Sequence, residues 1–229
     1  MAHPKISSAA LLKTEVQVTL PLSYHHFNQG AGKPLLIFLH GYTDTAAGFL
    51  KRAFPHLDQK YEILAPNGLF PVPQKIAGGW RQSFAWYFAE FSKSSVLIHP
   101  DVSADAIVKL IQDLGLEDRD KILLGFSQGG FFLPFLCRKL TRLKKMFAVG
   151  SAFRSEDYQT TLPVPLEALH GTEDDIVPFA VAEASFQDLQ SLNPQGRFFS
   201  FPGLGHSMND EARALLLERI EEVFYENRG

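Results

Sequence analysis

The sequence predicts an α/β fold in which a mostly parallel central sheet carries helices on both faces. Three observations predict it. Short, wholly apolar runs recur along the chain, and such runs are strands buried on both sides. Between them lie stretches with apolar residues at i, i+3, i+4 and i+7, the spacing of a helix with one buried face. The two kinds alternate, and alternation builds βαβ units with parallel strands. Ligands of such sheets bind at the carboxyl ends of the strands, where the loops gather. Each functional candidate is therefore expected directly after a strand.

In order, residues 14–20 (TEVQVTL) alternate like a half-exposed strand, and 35–39 (LLIFL) form a buried one. Residues 62–65 make a short strand ending at the turn Pro66-Asn67-Gly68. Ile107, Leu110, Ile111 and Leu114 mark a helix face closed by Gly115. Buried strands follow at 122–124, 146–149, 166–169 and 198–201, with helices over about 128–141 and 179–192. The last helix places Ala212, Leu215, Leu216, Ile220, Val223 and Phe224 on one face, with Asn209 or Asp210 as its N-cap. His25 and His26 lack any partner spacing and are expected at the surface.

Composition narrows the function classes. With 229 residues the chain can bury a substantial core, and without repeats or linkers residues 1–229 are expected to form one domain. Hydrophobic content of 45% and charged content of 21% exclude disordered and fibrous classes. A net charge of −3 with no basic stripe speaks against nucleic acid. The apolar runs, about five or six residues at most, are too short for stable membrane insertion. The N-terminus shows no signal peptide, and one cysteine, Cys137, precludes an intramolecular disulfide, so a cytoplasmic location is expected. No HExxH, CxxC or phosphate loop occurs, so neither a metal nor another cofactor is expected. Oligomeric state leaves no mark in the sequence.

Gly125-Phe126-Ser127-Gln128-Gly129 matches G-x-S-x-G between a strand and a helix. There the serine occupies a strained turn, its hydroxyl projects from the sheet, and the next N–H faces the oxyanion. A serine hydroxyl needs a base to take its proton and a third group to orient that base, in the chain order Ser, acid, His. Of eight histidines only His170 and His206 follow Ser127. His206 lies in a glycine-rich loop (GLGHS) after the FFSF strand, with the carboxylates Glu173, Asp174 and Asp175 upstream. His170 ends its own strand and is expected to pack against the acid loop. Spacing alone leaves the acid open among the three. One oxyanion donor is expected at Gln128 N–H, and the other at Tyr42, after His40-Gly41 in the loop following LLIFL.

Together "FLHGYTDT", "GFSQGG", "HGTEDDIVP" and "GLGHSM" resemble, in order over roughly residues 35–210, the carboxylesterase/phospholipase family of α/β-hydrolases that includes acyl-protein thioesterases. The resemblance implies an α/β-hydrolase fold, metal-independent hydrolysis of esters or thioesters, and oxyanion donors at the Tyr42 and Gln128 backbones. Its H-G-x-x-D-x-x-V-P spacing, on His170, Gly171, Asp174, Val177 and Pro178, implies Asp174 as the acid. Tyr42-Thr43 stands where that family usually has smaller or aliphatic residues, and Phe131 where it usually has a small one. These departures speak against long-chain lipid or protein-depalmitoylating specificity.

Residues 66–95 hold both tryptophans, four phenylalanines and Tyr87. That stretch is too long for a simple connector and too aromatic for disorder, so it is expected to cap an acyl pocket. Trp80, Arg81, Trp86 and Phe131 are the candidate substrate contacts, Arg81 either as partner of a carboxylate or headgroup or as a solvated charge, and Phe131 either as pocket floor or as helix packing. The whole reads as a serine carboxylesterase or thioesterase, possible substrates including lysophospholipids and acyl-proteins, acting on a small-molecule acyl ester or thioester through an acyl-enzyme. Two rivals stand beside it. Dienelactone-hydrolase-type enzymes cleave small esters or lactones, but usually with Cys in place of Ser127. A ligand-binding protein on an inactive hydrolase scaffold would have no use for the complete Ser, acid, His set.

Overall fold

A computed structural model describes residues 19–30, 32–55, 61–90, 95–155, 158 and 160–225. From the N-terminus run β1 (Tyr24–Phe27), β2 (Leu35–Leu39), α1 (Ala46–Ala53) and β3 (Glu62–Pro66). Six short strands follow: β4 (Phe70–Pro71), β5 (Gln74–Ile76), β6 (Gly79–Arg81), β7 (Phe84–Ala85), β8 (Phe88–Glu90) and β9 (Ser95–Ile98). Then come α2 (Pro100–Asp113), β10 (Lys121–Phe126), α3 (Gln128–Cys137), β11 (Leu143–Val149), β12 (Leu166–Gly171), α4 (Phe179–Asp188), β13 (Arg197–Phe201) and α5 (Asp210–Tyr225).

Seven strands make the central sheet, in the order β1-β3-β2-β10-β11-β12-β13. Only β1 runs antiparallel to its neighbour; the other pairs are parallel. β2 and β3 are buried at every residue, which explains the unbroken apolar run of β2 and the apolar residues after Glu62 in β3. Alternate side chains enter two separate cores. Leu35, Ile37, Leu39, Leu123, Met146 and Ala148 meet α2, α3 and α4 on one face. Leu36, Phe38, Leu124, Phe147 and Val149 meet α1 and α5 on the other. The predicted helices on both faces are thus present.

The central strands and the helices α2 to α5 fall where the periodicity puts them. α3 stops at Cys137 rather than 141, because the chain must turn to enter β11 at Leu143. Ala212 N–H donates to Asn209 Oδ1 at 2.9 Å, so Asn209 caps α5. Of the strand expected at 14–20, residues 14–18 lie outside the described residues, and 19 and 20 are not in a strand. β1 and α1 are additions. His26 is not a surface residue: its Nε2 meets the buried Glu62 at 2.7 Å across the β1–β3 pair. Of the stretch 66–95, residues 91–94 lie outside the described residues; the rest, with the remainder of β9, forms antiparallel strand pairs, β4 with β7, β5 with β6, and β8 with β9.

One buried ion cluster ties β11, β12 and α5 together. Glu167 Oε1 lies 2.8 Å from Lys145 Nζ and 2.7 Å from Arg219 Nη2. Burial opposes the Glu167 charge, but hydrogen bonds from Arg219 and Lys145 outweigh it and hold the carboxyl below the usual range.

Candidate active site

Ser127 sits between the end of β10 and the first residue of α3, with φ 50° and ψ −120°. A non-glycine residue there costs about 1–3 kcal/mol, and such strain gathers at functional sites. Two contacts hold the turn. A Cβ on Gly125 would lie 2.3 Å from Gly129 O, and one on Gly129 would lie 2.2 Å from Leu39 O. Strand and helix therefore touch backbone to backbone, and only glycine fits at either position. Ser127 N–H also donates to Val149 O at 2.8 Å, fastening the turn to the end of β11. Gln128, first in the helix, has an N–H with no acceptor inside α3.

The acid loop follows β12 and packs on the loop after β13. A Cβ on Gly171 would lie 2.0 Å from Leu204 O, and Glu173 N–H donates to Leu204 O at 3.0 Å. This contact carries residues 172–175 toward His206 and selects among the carboxylates. Glu173 and Asp175 are exposed, whereas Asp174 is buried. Asp174 Oδ1 accepts from Ile176 N–H at 3.0 Å and Val177 N–H at 2.8 Å. Its Oδ2 lies 2.8 Å from His206 Nδ1. A carboxylate only accepts, so Nδ1 carries a proton, and in the neutral ring Nε2 is the nitrogen with the lone pair. The His206 ring rests on Phe126, with centroids 4.9 Å apart. It also lies 3.2 Å from where a Cβ on Gly150 would be, directly after the residue that accepts from Ser127. Ser127, Asp174 and His206 therefore converge at the carboxyl ends of β10, β12 and β13. His170 packs against the acid loop as expected, its Nε2–H donating to Val177 O at 2.8 Å.

The loop after β2 brings Tyr42 to the same place, since a Cβ on Gly41 would lie 3.4 Å from Ser127 Cβ. His40 braces this loop from beneath. Gly68 N–H donates to its Nε2 at 2.9 Å, and its Nδ1–H donates to Gly41 O at 2.7 Å. Burial lowers its pKa to about 4, so the ring is neutral at physiological pH. Thr43 N–H donates to Phe84 O at 3.0 Å, and Phe84 N–H to Asp44 O at 2.9 Å. The loop is thus paired with the aromatic segment.

Trp86 belongs to that scaffold and not to the substrate surface. It is fully buried, stacks on Phe132 at 5.3 Å, and donates its indole N–H to His40 O at 2.7 Å. Trp80 and Arg81 are likewise away from the cleft. Both lie in the exposed β5–β6 hairpin, where Trp80 is 70% exposed and Arg81 donates to Gln74 at 2.5 Å. Phe131 does line the cleft, a hollow of about 250 Å³ above Ser127 shared with Tyr42, Tyr87, Phe88, Ala89 and Gln128. Tyr87, Phe88 and Ala89 are the lining residues that sequence reasoning missed, although the aromatic density of 66–95 pointed to their segment. The Gln128 side chain was missed too. Its Oε1 accepts from Trp86 N–H at 3.0 Å and its Nε2 donates to Tyr87 O at 2.9 Å, so it grips the cleft wall. No sequence pattern announces such a clamp. Among the described residues no group of three or more His, Cys, Asp or Glu is placed to hold a metal ion.

A family model described as Phospholipase/Carboxylesterase matches residues 28–223. An esterase of Aedes aegypti is 29% identical over 189 residues, covering 72% of this chain and 69% of its own. Acyl-protein thioesterase 1 of Debaryomyces hansenii is 26% identical over 214 residues, covering 83% and 91%. Among solved structures, acyl-protein thioesterase 2 of Zea mays superposes with a TM-score of 0.65 at 20% identity, over 88% of this chain and 99% of that one.

Proposed function

Because the chain belongs to the phospholipase/carboxylesterase family and has the α/β-hydrolase fold, we propose that it is a serine hydrolase cleaving acyl esters or thioesters through an acyl-enzyme. The observation that supports this is the 2.8 Å contact of Asp174 Oδ2 with His206 Nδ1, which orients the ring and leaves Nε2 as the nitrogen to take a proton. Ser127 Oγ attacks the acyl carbonyl carbon as its proton passes to His206 Nε2. The carbonyl oxygen becomes an oxyanion and takes hydrogen bonds from the Tyr42 and Gln128 N–H groups. Asp174 holds the ring's orientation and stabilises the imidazolium. The intermediate collapses, and His206 returns the proton to the departing alcohol or thiol. Water then attacks the acyl-serine with His206 again as base, releasing the acid and restoring Ser127.

The test is covalent labelling by a fluorophosphonate together with hydrolysis of p-nitrophenyl butyrate. Both are expected in the parent protein. Ser127→Ala should lose the label and drop kcat by about 10⁶-fold. Labelling that persists at another residue in that variant would refute the assignment. A cytoplasmic location is part of the same proposal. It is supported by the single cysteine, Cys137, whose burial raises its thiol pKa to about 12 and suits it to packing rather than oxidation.

A further inference from the structure

Phe131 borders two hollows. One is the cleft above Ser127, and the other is a smaller one of about 30 Å³, lined further in by Val96, Phe135 and Tyr158, with His99 and Arg154 among its polar groups. Tyr87, Ala89 and Phe131 line both, so the two spaces are neighbours with these residues between them. Tyr87 is buried and its carbonyl is held by Gln128, which fixes that part of the partition. Ala89 has no side chain to extend. Phe131 is only partly buried, packed against the edge of the core on the α2, α3 and α4 side. It lies one helical turn beyond Ser127, its N–H donating to Ser127 O at 3.1 Å. Residues four apart share a helix face, so the ring stands beside the serine on the side of the cleft wall.

We propose that Phe131 is the wall that ends the acyl chain, and that the hollow behind it is a continuation of the acyl site that the Phe131 ring shuts off. The inference rests on Ser127 as nucleophile and adds the substrate class: esters or thioesters of short acyl chains. An acyl group on Ser127 with its carbonyl oxygen toward Tyr42 and Gln128 runs along Tyr87, Phe88 and Ala89 until it meets the Phe131 ring. Each methylene that finds apolar surface raises kcat/KM about fourfold, and the first one that does not fit ends the rise. Removing the ring joins the two hollows and moves the break outward.

The experiment compares kcat/KM for p-nitrophenyl acetate, butyrate, hexanoate, octanoate and palmitate in the parent, Phe131→Ala and Phe131→Leu. The parent is expected to peak at butyrate or hexanoate. Phe131→Ala should raise the octanoate-to-butyrate ratio at least tenfold, with Phe131→Leu in between and readable if the alanine variant fails to fold. Adding Val96→Phe to Phe131→Ala refills the rear cavity and should return the ratio toward the parent value. Fluorophosphonate labelling of Ser127 in every variant separates the two levels of the reading. If labelling is intact and the ratio stays within twofold of the parent, the wall is not Phe131. If the parent itself is not labelled, the serine-hydrolase reading falls and this inference falls with it.

Discussion

Glu173, Asp174 and Asp175 are adjacent carboxylates that the backbone treats differently. Two face solvent, while Asp174 turns inward, accepts two backbone N–H groups through one oxygen and meets His206 through the other. Asp174→Asn keeps the acceptor for the backbone but presents the ring with an amide that can hold the wrong tautomer. We expect a fall in kcat of about 10⁴-fold with an unchanged unfolding midpoint. Glu173→Gln and Asp175→Asn should change kcat by less than about threefold, since solvated charges contribute little. Trp86 supports a different measurement. Trp86→Phe keeps the stacked ring but strips the His40 carbonyl of its donor, which should cost about 1–3 kcal/mol in urea unfolding. Ser127 and His206, the proposed nucleophile and base, could be picked out in the sequence because G-x-S-x-G after a strand is a local pattern and only two histidines follow it. The choice among the three acids was not legible from spacing. It depends on how the loops after β12 and β13 lie on one another, a contact between segments distant in sequence. Trp80, Arg81 and Trp86, expected as substrate contacts, do not line the hollow above Ser127, for a related reason. Aromatic and charged residues in one stretch advertise a binding surface, yet burial and a free carbonyl claimed Trp86 for the core, and the hairpin turned the other two to solvent.

The elbow is the element whose geometry is least forgiving. Gly129 lies so close to the end of β2 that a methyl group would enter the Leu39 carbonyl. Gly129→Ala should therefore push α3 off the sheet, cost about 1–3 kcal/mol or more, and abolish labelling of Ser127 even in molecules that remain folded. Intact-mass analysis after fluorophosphonate treatment, alongside circular dichroism, checks both effects. The central strands were readable because burial on both faces makes them mostly apolar, so the apolar run and the strand largely coincide; of the charges they do bury, Glu62, Lys145 and Glu167 are ion-paired. β1 and α1 escaped because neither has such a signature. β1 carries two histidines and pairs at the edge, and α1 has eight residues with a glycine among them. The strands of 66–95 are two to four residues long, shorter than one clear period of alternation, so sequence revealed a cap-like composition without its β form.

At the scale of the whole molecule, the pH response follows from buried groups in distinct windows. The His40 pKa in the folded chain, about 4, lies below its ordinary 6.5, so the unfolded state binds a proton that the native state does not. Its contribution to stability is complete above pH 6.5 and falls, by up to ~3 kcal/mol, as the pH drops to 4. Urea unfolding at neutral pH and near the middle of that window should show the slope, and His40→Gln should flatten it. The Glu167 carboxyl, held below its ordinary 4.5, loses its contribution only at more acid pH. Glu167→Gln takes the shared anion from Lys145 and leaves Arg219 with Glu222 alone, and about 3–5 kcal/mol of stability should go with it. The two cores have a consequence of their own. His206 leans on Phe126, which stacks on Phe49 of α1, whereas Tyr87, Ala89 and Phe131 pack into the core across the sheet. On the proposed reading, the ring that serves as base is seated through one core and the acyl wall through the other. Substitutions around Phe131 are therefore expected to move acyl preference while leaving the seat of His206 in place.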